Sequence, residues 1–197
     1  MNDNGVILHE QFNALKRYSF NFDRNVIFKN GLYVLFEKGE KFLEFDRIVR
    51  VGTHTGQNNL VKRLTEHFLK PNKDRSIFRK HIGRAILSRD NNLELLKQWE
   101  IDLTGKKARE EWAGKIDTAA IKSVEDRVTA YMQEYFTFSV IPLETKEERL
   151  FFEAGIIATT SRSPHFYPSA NWLGKFSPEE KIRTRGVWLV HGLNGRS

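Results

Sequence analysis

The chain has 197 residues, 40% hydrophobic and 29% charged, which predicts one folded domain over residues 1–197 rather than a disordered chain. It has no cysteine, which excludes disulfides, thiolate zinc sites, iron–sulfur ligation by cysteine and a cysteine nucleophile. There are 32 Lys and Arg against 25 Asp and Glu, a net charge of +7. This charge favours a polyanionic partner, and the alternative is a basic protein without such a partner.

No membrane or export signal is predicted. No segment approaches the ~20 continuous apolar residues that cross a bilayer. Residues 1–4 do not open a basic region followed by an apolar run, as a secretory signal would. We therefore expect a cytoplasmic protein without a membrane partner.

Two strands are predicted near the start of the chain. Residues 31–36 are rich in aromatic and aliphatic side chains, as strands are. Residues 47–52 alternate apolar and basic side chains, which is typical of a half-buried strand. With a turn expected at residues 38–40, the two strands should form an antiparallel hairpin with a long polar connection.

The next predicted elements are helices over residues 58–69, 77–87 and 117–135. In the first, Leu60, Leu64 and Phe68 recur every four residues and form one apolar face. Ser76 is placed to cap the second helix. Residues 90–116 are polar, and their secondary structure stays open.

A third strand is predicted over residues 136–143, followed by a helix over residues 146–159. Thr145 and Glu148 have the spacing of a capping box at the start of this helix. Residues 161–171 are rich in Ser and Pro and should form a loop.

These elements predict an α/β fold with a small three-stranded sheet, mixed or antiparallel, flanked by helices. Residues 88–134 would form a helical insertion between the second and third core strands. A late edge strand is expected over residues 186–191.

Arg63 and His67 lie four positions apart on the first predicted helix and so share a face. Arginine can bind two phosphate oxygens at once, and histidine can transfer a proton near neutral pH. The pair therefore suits phosphate chemistry. The alternative is an arginine beside a histidine at the edge of the core.

Viewed down the axis of its predicted helix, Glu153 lies at an angle between those of Ile156 and Ile157, on the apolar side. An unpaired carboxylate is costly in such a setting. Two interpretations stay open, a metal ligand or acid–base group and a salt bridge to an arginine at the edge of the core.

Other candidates come from the strands and loops. Tyr33 lies on the first strand, where a tyrosine is most often a core residue with its hydroxyl satisfied. His54 follows the second strand and could reach a site from its loop or face solvent. Ser76 and His81 are looser candidates.

Basic residues lie at or near the second predicted helix, namely Arg75, Arg79, Lys80 and Arg84. They could follow a DNA backbone, or form a solvated basic face. The insertion adds Lys106, Lys107, Arg109 and Lys115, although Glu110 and Glu111 among them oppose DNA binding.

Taken in order, these motifs resemble the GIY-YIG endonuclease superfamily. Residues 31–33, Gly-Leu-Tyr, stand for Gly-Ile-Tyr, and residues 50–52, Arg-Val-Gly, stand where Tyr-Ile-Gly is expected. The remaining matched positions are Arg63 with His67 on a helix, Glu153 on a later helix and Asn171 in a proline-containing loop. The resemblance runs from about residue 29 to 173, interrupted by residues 88–134, and its departure is Arg50 in place of the second tyrosine.

The resemblance implies hydrolysis of a DNA phosphodiester with one divalent metal, Mg²⁺ or Mn²⁺, held by Glu153. Arg63 would bind a non-bridging oxygen and stabilise the negative charge of the transition state. Tyr33 would orient or deprotonate the attacking water with His67 beside it, and which of the two takes the proton stays open.

The resemblance also implies accessory roles. Arg50 and His54 are candidates to replace the missing tyrosine. Asn171 is expected to order the loop near the site rather than to take part in the chemistry.

Three functions follow as alternatives. The first is a metal-dependent DNA endonuclease in restriction, defence or repair. The second is a catalytically weak or inactive nucleic-acid-binding protein of the same fold. The third is an interaction module in which Arg63 and Glu153 form a salt bridge. The oligomeric state stays open, although a double-strand cutter with one site per chain would favour a dimer.

Overall fold

A computed structural model describes residues 3–190. Its sheet contains three strands, β1 (Gly31–Phe42), β2 (Phe45–Gly52) and β3 (Phe136–Pro142), in the order β2-β1-β3. Both strand pairs are antiparallel, so the predicted α/β fold is confirmed and its sheet is antiparallel rather than mixed.

The hairpin differs from its prediction because β1 continues through the residues expected to turn. Residues 38–40 belong to β1, and the chain reverses at Leu43, whose φ of 53° is left-handed. Phe42 explains the longer strand, since its side chain is fully buried and stacks on the His9 ring with centroids 4.0 Å apart. The connection is therefore tight rather than long and polar.

Four predicted helices are present with small changes at their ends, namely α2 (Leu60–Phe68), α3 (Ile77–Arg89), α6 (Thr118–Tyr135) and α7 (Lys146–Arg162). The capping box forms as predicted, with Thr145 and Glu148 exchanging hydrogen bonds. α7 runs past residue 159, so the loop predicted to start at residue 161 begins after Arg162.

Two helices lie outside every predicted helical segment, namely α1 (Asn4–Ala14) and α8 (Glu180–Arg185). Two more, α4 (Leu93–Glu100) and α5 (Lys106–Glu111), lie within the predicted helical insertion, where individual helices were left open. The segment predicted as an insertion, residues 88–134, contains the end of α3, all of α4 and of α5, and most of α6. No helix described between residues 3 and 190 is both long enough and apolar enough to span a bilayer.

The late edge strand is wrong for residues 186–190, which form no strand. Gly186 ends α8 in a left-handed conformation with φ 68°, and a single backbone bond of 2.7 Å joins the Trp188 N–H to the Val49 carbonyl. Trp188 is fully buried, so this segment fills the core with a side chain instead of extending the sheet. His191 lies outside the described residues.

Each face of the sheet covers a separate part of the core, because side chains alternate along β1. Tyr33 and Leu35 face a large cluster built with α2, α3 and α6. Leu32, Val34 and Phe36 face a smaller cluster built with α1 and α7. The first face carries most of the candidate site.

Candidate active site

Three buried side chains form a hydrogen-bonded chain between β1, α2 and the start of α3. Tyr33 Oη lies 2.7 Å from His67 Nε2, and His67 Nδ1 lies 2.6 Å from Ser76 Oγ. None of the three residues is more than 1% exposed. The structure therefore brings Tyr33 and His67 together and adds Ser76, which the sequence marked only as a looser candidate.

His67 is a neutral imidazole at neutral pH. Burial holds its pKa well below the ordinary value of 6.5, and the cations Arg63, Arg50 and Arg79 lower it further. Both ring nitrogens are nevertheless engaged in hydrogen bonds. His67 thus acts through hydrogen bonds rather than as a charge.

Gly52 makes room for the Tyr33 hydroxyl. The two residues are opposite one another in the β1–β2 ladder. A Cβ atom at position 52 would lie 2.4 Å from Tyr33 Oη, so any larger residue would displace the ring. Gly52 of the second motif is therefore required for the Tyr33 side chain of the first motif to fit.

Arg63 lies on α2, one turn before His67, with 26% of its side chain exposed. Its Nη1 donates to the Arg75 carbonyl at 3.2 Å and lies 3.5 Å from the Glu66 carboxylate. Arg63 lines a cavity of about 320 Å³ with Thr53, His54, Thr55, Asn59, Lys62 and Glu66. A guanidinium held in this way on a cavity wall can bind an anion.

His54 shapes this cavity through the backbone. Its Nε2 accepts from the Gly31 N–H at 3.2 Å, and its Nδ1 donates to the Gly56 carbonyl at 3.1 Å. Burial and then the nearby Arg149 lower its pKa, so the ring is neutral. With both nitrogens occupied, His54 holds the loop after β2 against the start of β1.

Arg50 occupies the position of the expected second tyrosine. It pairs with Leu35, which lies on the same side of β1 as Tyr33, so Arg50 is directed towards that side of the sheet. Val49, between Ile48 and Arg50, is the extra residue of a β-bulge. It is 6% exposed, donates to the Trp188 carbonyl, and has an Nε that finds no acceptor among residues 3–190. Its charge lowers the pKa of both His67 and Glu153, so Arg50 lies within electrostatic reach of both.

Glu153 is half-buried on α7. Its carboxylate makes no hydrogen bond or ion pair with any residue in the described range. Burial raises its pKa, and Arg50 partly opposes that effect. The alternative of a salt bridge to Arg63 is wrong for this part of the chain, because Arg63 pairs with Glu66.

A metal at this position would rest on a single carboxylate. Across residues 3–190 there is no group of three or more His, Asp or Glu side chains able to hold a metal ion. Mg²⁺ is often bound through one or two carboxylates, with waters and substrate phosphates completing the octahedral shell. A half-buried carboxylate without a protein partner fits that mode of binding.

Asn171 lies elsewhere. It lines a different cavity of about 410 Å³, together with Glu37, Tyr131 and Trp172 among others. The structure does not bring Asn171 to the cavity that Arg63 lines. Its predicted role in ordering a loop at that site has no support from this placement.

Only one of the four predicted DNA-contacting residues is freely exposed. Arg79 is fully buried in an ion pair with Glu125 at 2.8 Å, which contradicts its predicted contact with DNA. Lys80 and Arg84 are 13% and 12% exposed and are held by the Glu100 carboxylate. Arg75 is exposed.

Arg149 was missed by the sequence analysis. It lies on α7 one turn before Glu153, is 1% exposed, and donates to the carbonyls of Leu143, Glu144 and Gly56. It therefore ties α7 to the loop that carries His54. Its position four residues before Glu153, on the same helix face, was the available sequence signal.

Comparison with known protein families matches residues 8–195 to the GIY-YIG domain. Comparisons with curated proteins and with solved structures gave no match. The family match covers almost the whole chain, and it includes the Tyr33 and Gly52 motifs that meet across β1 and β2. This chain belongs to the GIY-YIG domain family.

Proposed function

We propose that this protein is a divalent-metal-dependent DNA endonuclease that hydrolyses phosphodiester bonds, as in restriction, defence or repair. The observation that carries the proposal is the buried Tyr33–His67 hydrogen bond of 2.7 Å, one helical turn from Arg63 on its cavity wall. Membership of the family supports it, because GIY-YIG domains are typically endonucleases.

Arg63 is the residue that we assign to the phosphate. Its guanidinium would bind a non-bridging oxygen and stabilise the negative charge that develops in the transition state. Tyr33 would orient the attacking water and receive its proton, and His67 would support Tyr33 through the 2.7 Å hydrogen bond. Arg50 supplies positive charge, rather than a second hydroxyl, close to this pair.

Glu153 is the residue that we assign to Mg²⁺ or Mn²⁺. Its carboxylate lacks a partner among residues 3–190 and so remains available to a hard cation. A bound ion would polarise the phosphate and compensate charge on the leaving oxygen. Burial raises the pKa of this carboxylate, and the positive charge of Arg50 partly opposes that effect.

We infer that DNA approaches along the face that carries this cavity. Lys62 lines the cavity beside Arg63. Arg63 also donates to the backbone carbonyl of Arg75, which is itself an exposed residue. The net charge of +7 favours a polyanion. Because each neutralised phosphate releases counterions, binding should weaken as salt concentration rises.

A second candidate function is a nucleic-acid-binding protein of the same fold with weak or no cleavage. Two observations favour it. Arg50 stands in place of a tyrosine, and no group of three or more His, Asp or Glu side chains within residues 3–190 could hold a metal ion. A binder would keep salt-sensitive affinity for DNA without needing Glu153.

The test is a nicking assay on supercoiled plasmid DNA, with Mg²⁺ or with EDTA, for wild type and Glu153→Gln. We expect cleavage to require Mg²⁺ and to fall by at least about 100-fold in Glu153→Gln, since a catalytic metal contributes several kcal/mol. The thermal unfolding midpoint should not fall, because the substitution removes an unpaired half-buried charge.

Glu147→Gln is the matched control. Glu147 is exposed in the first turn of the same helix and lies outside the proposed site, so its cleavage rate should equal that of wild type. Salt-sensitive DNA binding without Mg²⁺-dependent cleavage would refute the endonuclease proposal and support the nucleic-acid-binding function. Cleavage that survives Glu153→Gln would refute the metal assignment.

A further inference from the structure

Arg50 is a buried cation without a counter-charge. It is 6% exposed and forms no ion pair with any residue between 3 and 190. Two other arginines lie beside His67, and each of them pairs with a carboxylate. These pairs are Arg63 with Glu66 and Arg79 with Glu125. Because a charge taken out of water is costly unless an opposite charge compensates it, the surroundings of Arg50 favour an anion supplied by a ligand.

The three guanidinium nitrogens of Arg50 have different surroundings. Nη1 donates to the Trp188 carbonyl, and Nε is enclosed without an acceptor among the described residues. Nη2 makes no hydrogen bond in that range either, yet it is not enclosed. Arg63 has a similar arrangement, since its Nη1 contacts the Arg75 carbonyl and the Glu66 carboxylate while Nη2 binds no residue between 3 and 190. Each arginine thus has one nitrogen held by the protein and another open to a ligand.

Phe78 places the Arg50 guanidinium beside the candidate active site. The guanidinium carbon lies 5.0 Å from the centre of the Phe78 ring. The same ring meets the His67 imidazole edge-on, with centroids 5.7 Å apart, and His67 is hydrogen-bonded to Tyr33. Burial raises the pKa of Glu153, and Arg50 is the charge that opposes this effect. Arg50 therefore lies near both the Tyr33–His67 pair and the carboxylate assigned to the metal.

We propose that Arg50 is a second phosphate-binding residue, whose Nη2 donates a hydrogen bond to a non-bridging oxygen of the phosphate that Arg63 binds. The proposal rests on the proposed endonuclease function, and it adds a direct contact with the substrate to the positive charge near Tyr33 and His67. Two guanidinium groups stabilise the negative charge that develops on the phosphate in the transition state better than one. Neither group transfers a proton, because the guanidinium of arginine stays charged in proteins.

DNA binding in EDTA tests this contact without metal or cleavage. The probe is a fluorescein-labelled duplex of mixed sequence, whose anisotropy is followed at several salt concentrations for wild type and Arg50→Met. We expect Arg50→Met to bind about tenfold more weakly, since it loses a hydrogen bond to a charged group. The slope of log affinity against log salt should become shallower by about 0.9, because one phosphate fewer is neutralised. Equal affinity and slope in the two proteins would overturn the proposal.

Arg50→Lys separates the charge at position 50 from its packing. It keeps a cation there and should keep the wild-type salt slope. A slope that becomes equally shallow in Arg50→Lys and Arg50→Met would make Arg50 a structural residue and overturn the proposal. Lys122→Gln is the control for net charge, because Lys122 is 76% exposed on α6 and pairs with Asp126. Its affinity and slope should equal those of wild type.

The urea midpoint shows whether Arg50→Met remains folded. The substitution replaces an unpaired buried charge with an apolar side chain, so the midpoint should not fall. If Arg50→Met does not fold, Arg50→Gln takes its place, because an amide can still donate to the Trp188 carbonyl. Loss of folding in both variants would show that Arg50 serves the fold and would overturn the proposal.

Cleavage at saturating DNA in Mg²⁺ is the second readout. Arg50→Met should cut about 100-fold more slowly than wild type, because it lacks one of the groups that stabilise the transition state. An unchanged rate would overturn the contact with the phosphate under attack. A wild type that binds DNA but does not cut it would refute the endonuclease function, while the salt slopes still decide whether Arg50 binds phosphate. A wild type that binds no DNA would overturn both proposals.

Discussion

The buried ion pair between Arg79 and Glu125 provides the sharpest stability prediction. Arg79 is 0% and Glu125 9% exposed at their side chains. Two bonds of 2.8 and 3.1 Å join the guanidinium to one carboxylate oxygen, and a third of 3.0 Å reaches the His67 carbonyl. Glu125→Gln would leave the arginine charge buried without a counter-charge.

We expect Glu125→Gln to lower the free energy of unfolding by about 3–5 kcal/mol, the usual cost of removing one partner of a buried pair. That is a large fraction of the roughly 5–15 kcal/mol that holds a typical domain together. Urea denaturation followed by circular dichroism measures it, with the midpoint and slope compared between the two proteins.

Asp126→Asn is the matched control on the same helix. Asp126 forms an exposed pair with Lys122 at 2.8 Å, so its loss should cost only about 0.3–0.5 kcal/mol. Equal costs for the two substitutions, within about 1 kcal/mol, would refute the argument. Arg79 would then have access to water and would again be a candidate for contact with DNA.

Two further predictions concern pH and packing. His9 is fully buried, and burial lowers its pKa to about 4, so its folded form stays neutral while the unfolded form protonates below pH 6.5. The free energy of unfolding should therefore fall by up to about 3 kcal/mol as the pH drops from 6.5 to about 4. In His9→Gln the urea midpoint should fall less steeply over the same pH range, because this contribution is absent. Parallel plots of urea midpoint against pH for wild type and His9→Gln would contradict this. Gly83→Ala should destabilise by about 1–3 kcal/mol, since its Cβ would lie 2.3 Å from the Trp99 ring. Gly155→Ala, with nothing within 4 Å, should instead stabilise by about 0.5–1 kcal/mol, and equal thermal midpoints for the two would refute the packing argument.

Local patterns in the sequence determined the elements that carry the site. The apolar run of residues 31–36 and the repeat of Leu60, Leu64 and Phe68 predicted β1 and α2, because alternation and helical period are properties of neighbouring residues. The capping box before α7 was equally local. The spacing of Arg63 and His67 likewise placed the two on one helix, four residues apart, and His67 reaches Tyr33 on β1.

Tertiary structure decided what those residues contact. Nothing near Arg79 in the sequence distinguishes it from Arg75, yet Arg79 is buried against Glu125 from a helix 46 residues away and Arg75 is exposed. The link from His67 to Ser76 likewise depends on how α2 and α3 meet. Burial and hydrogen bonding depend on contacts between distant segments, and local sequence patterns do not contain those contacts. The sequence by itself therefore determined the strands and helices that carry the site, and tertiary packing decided which side chains meet there.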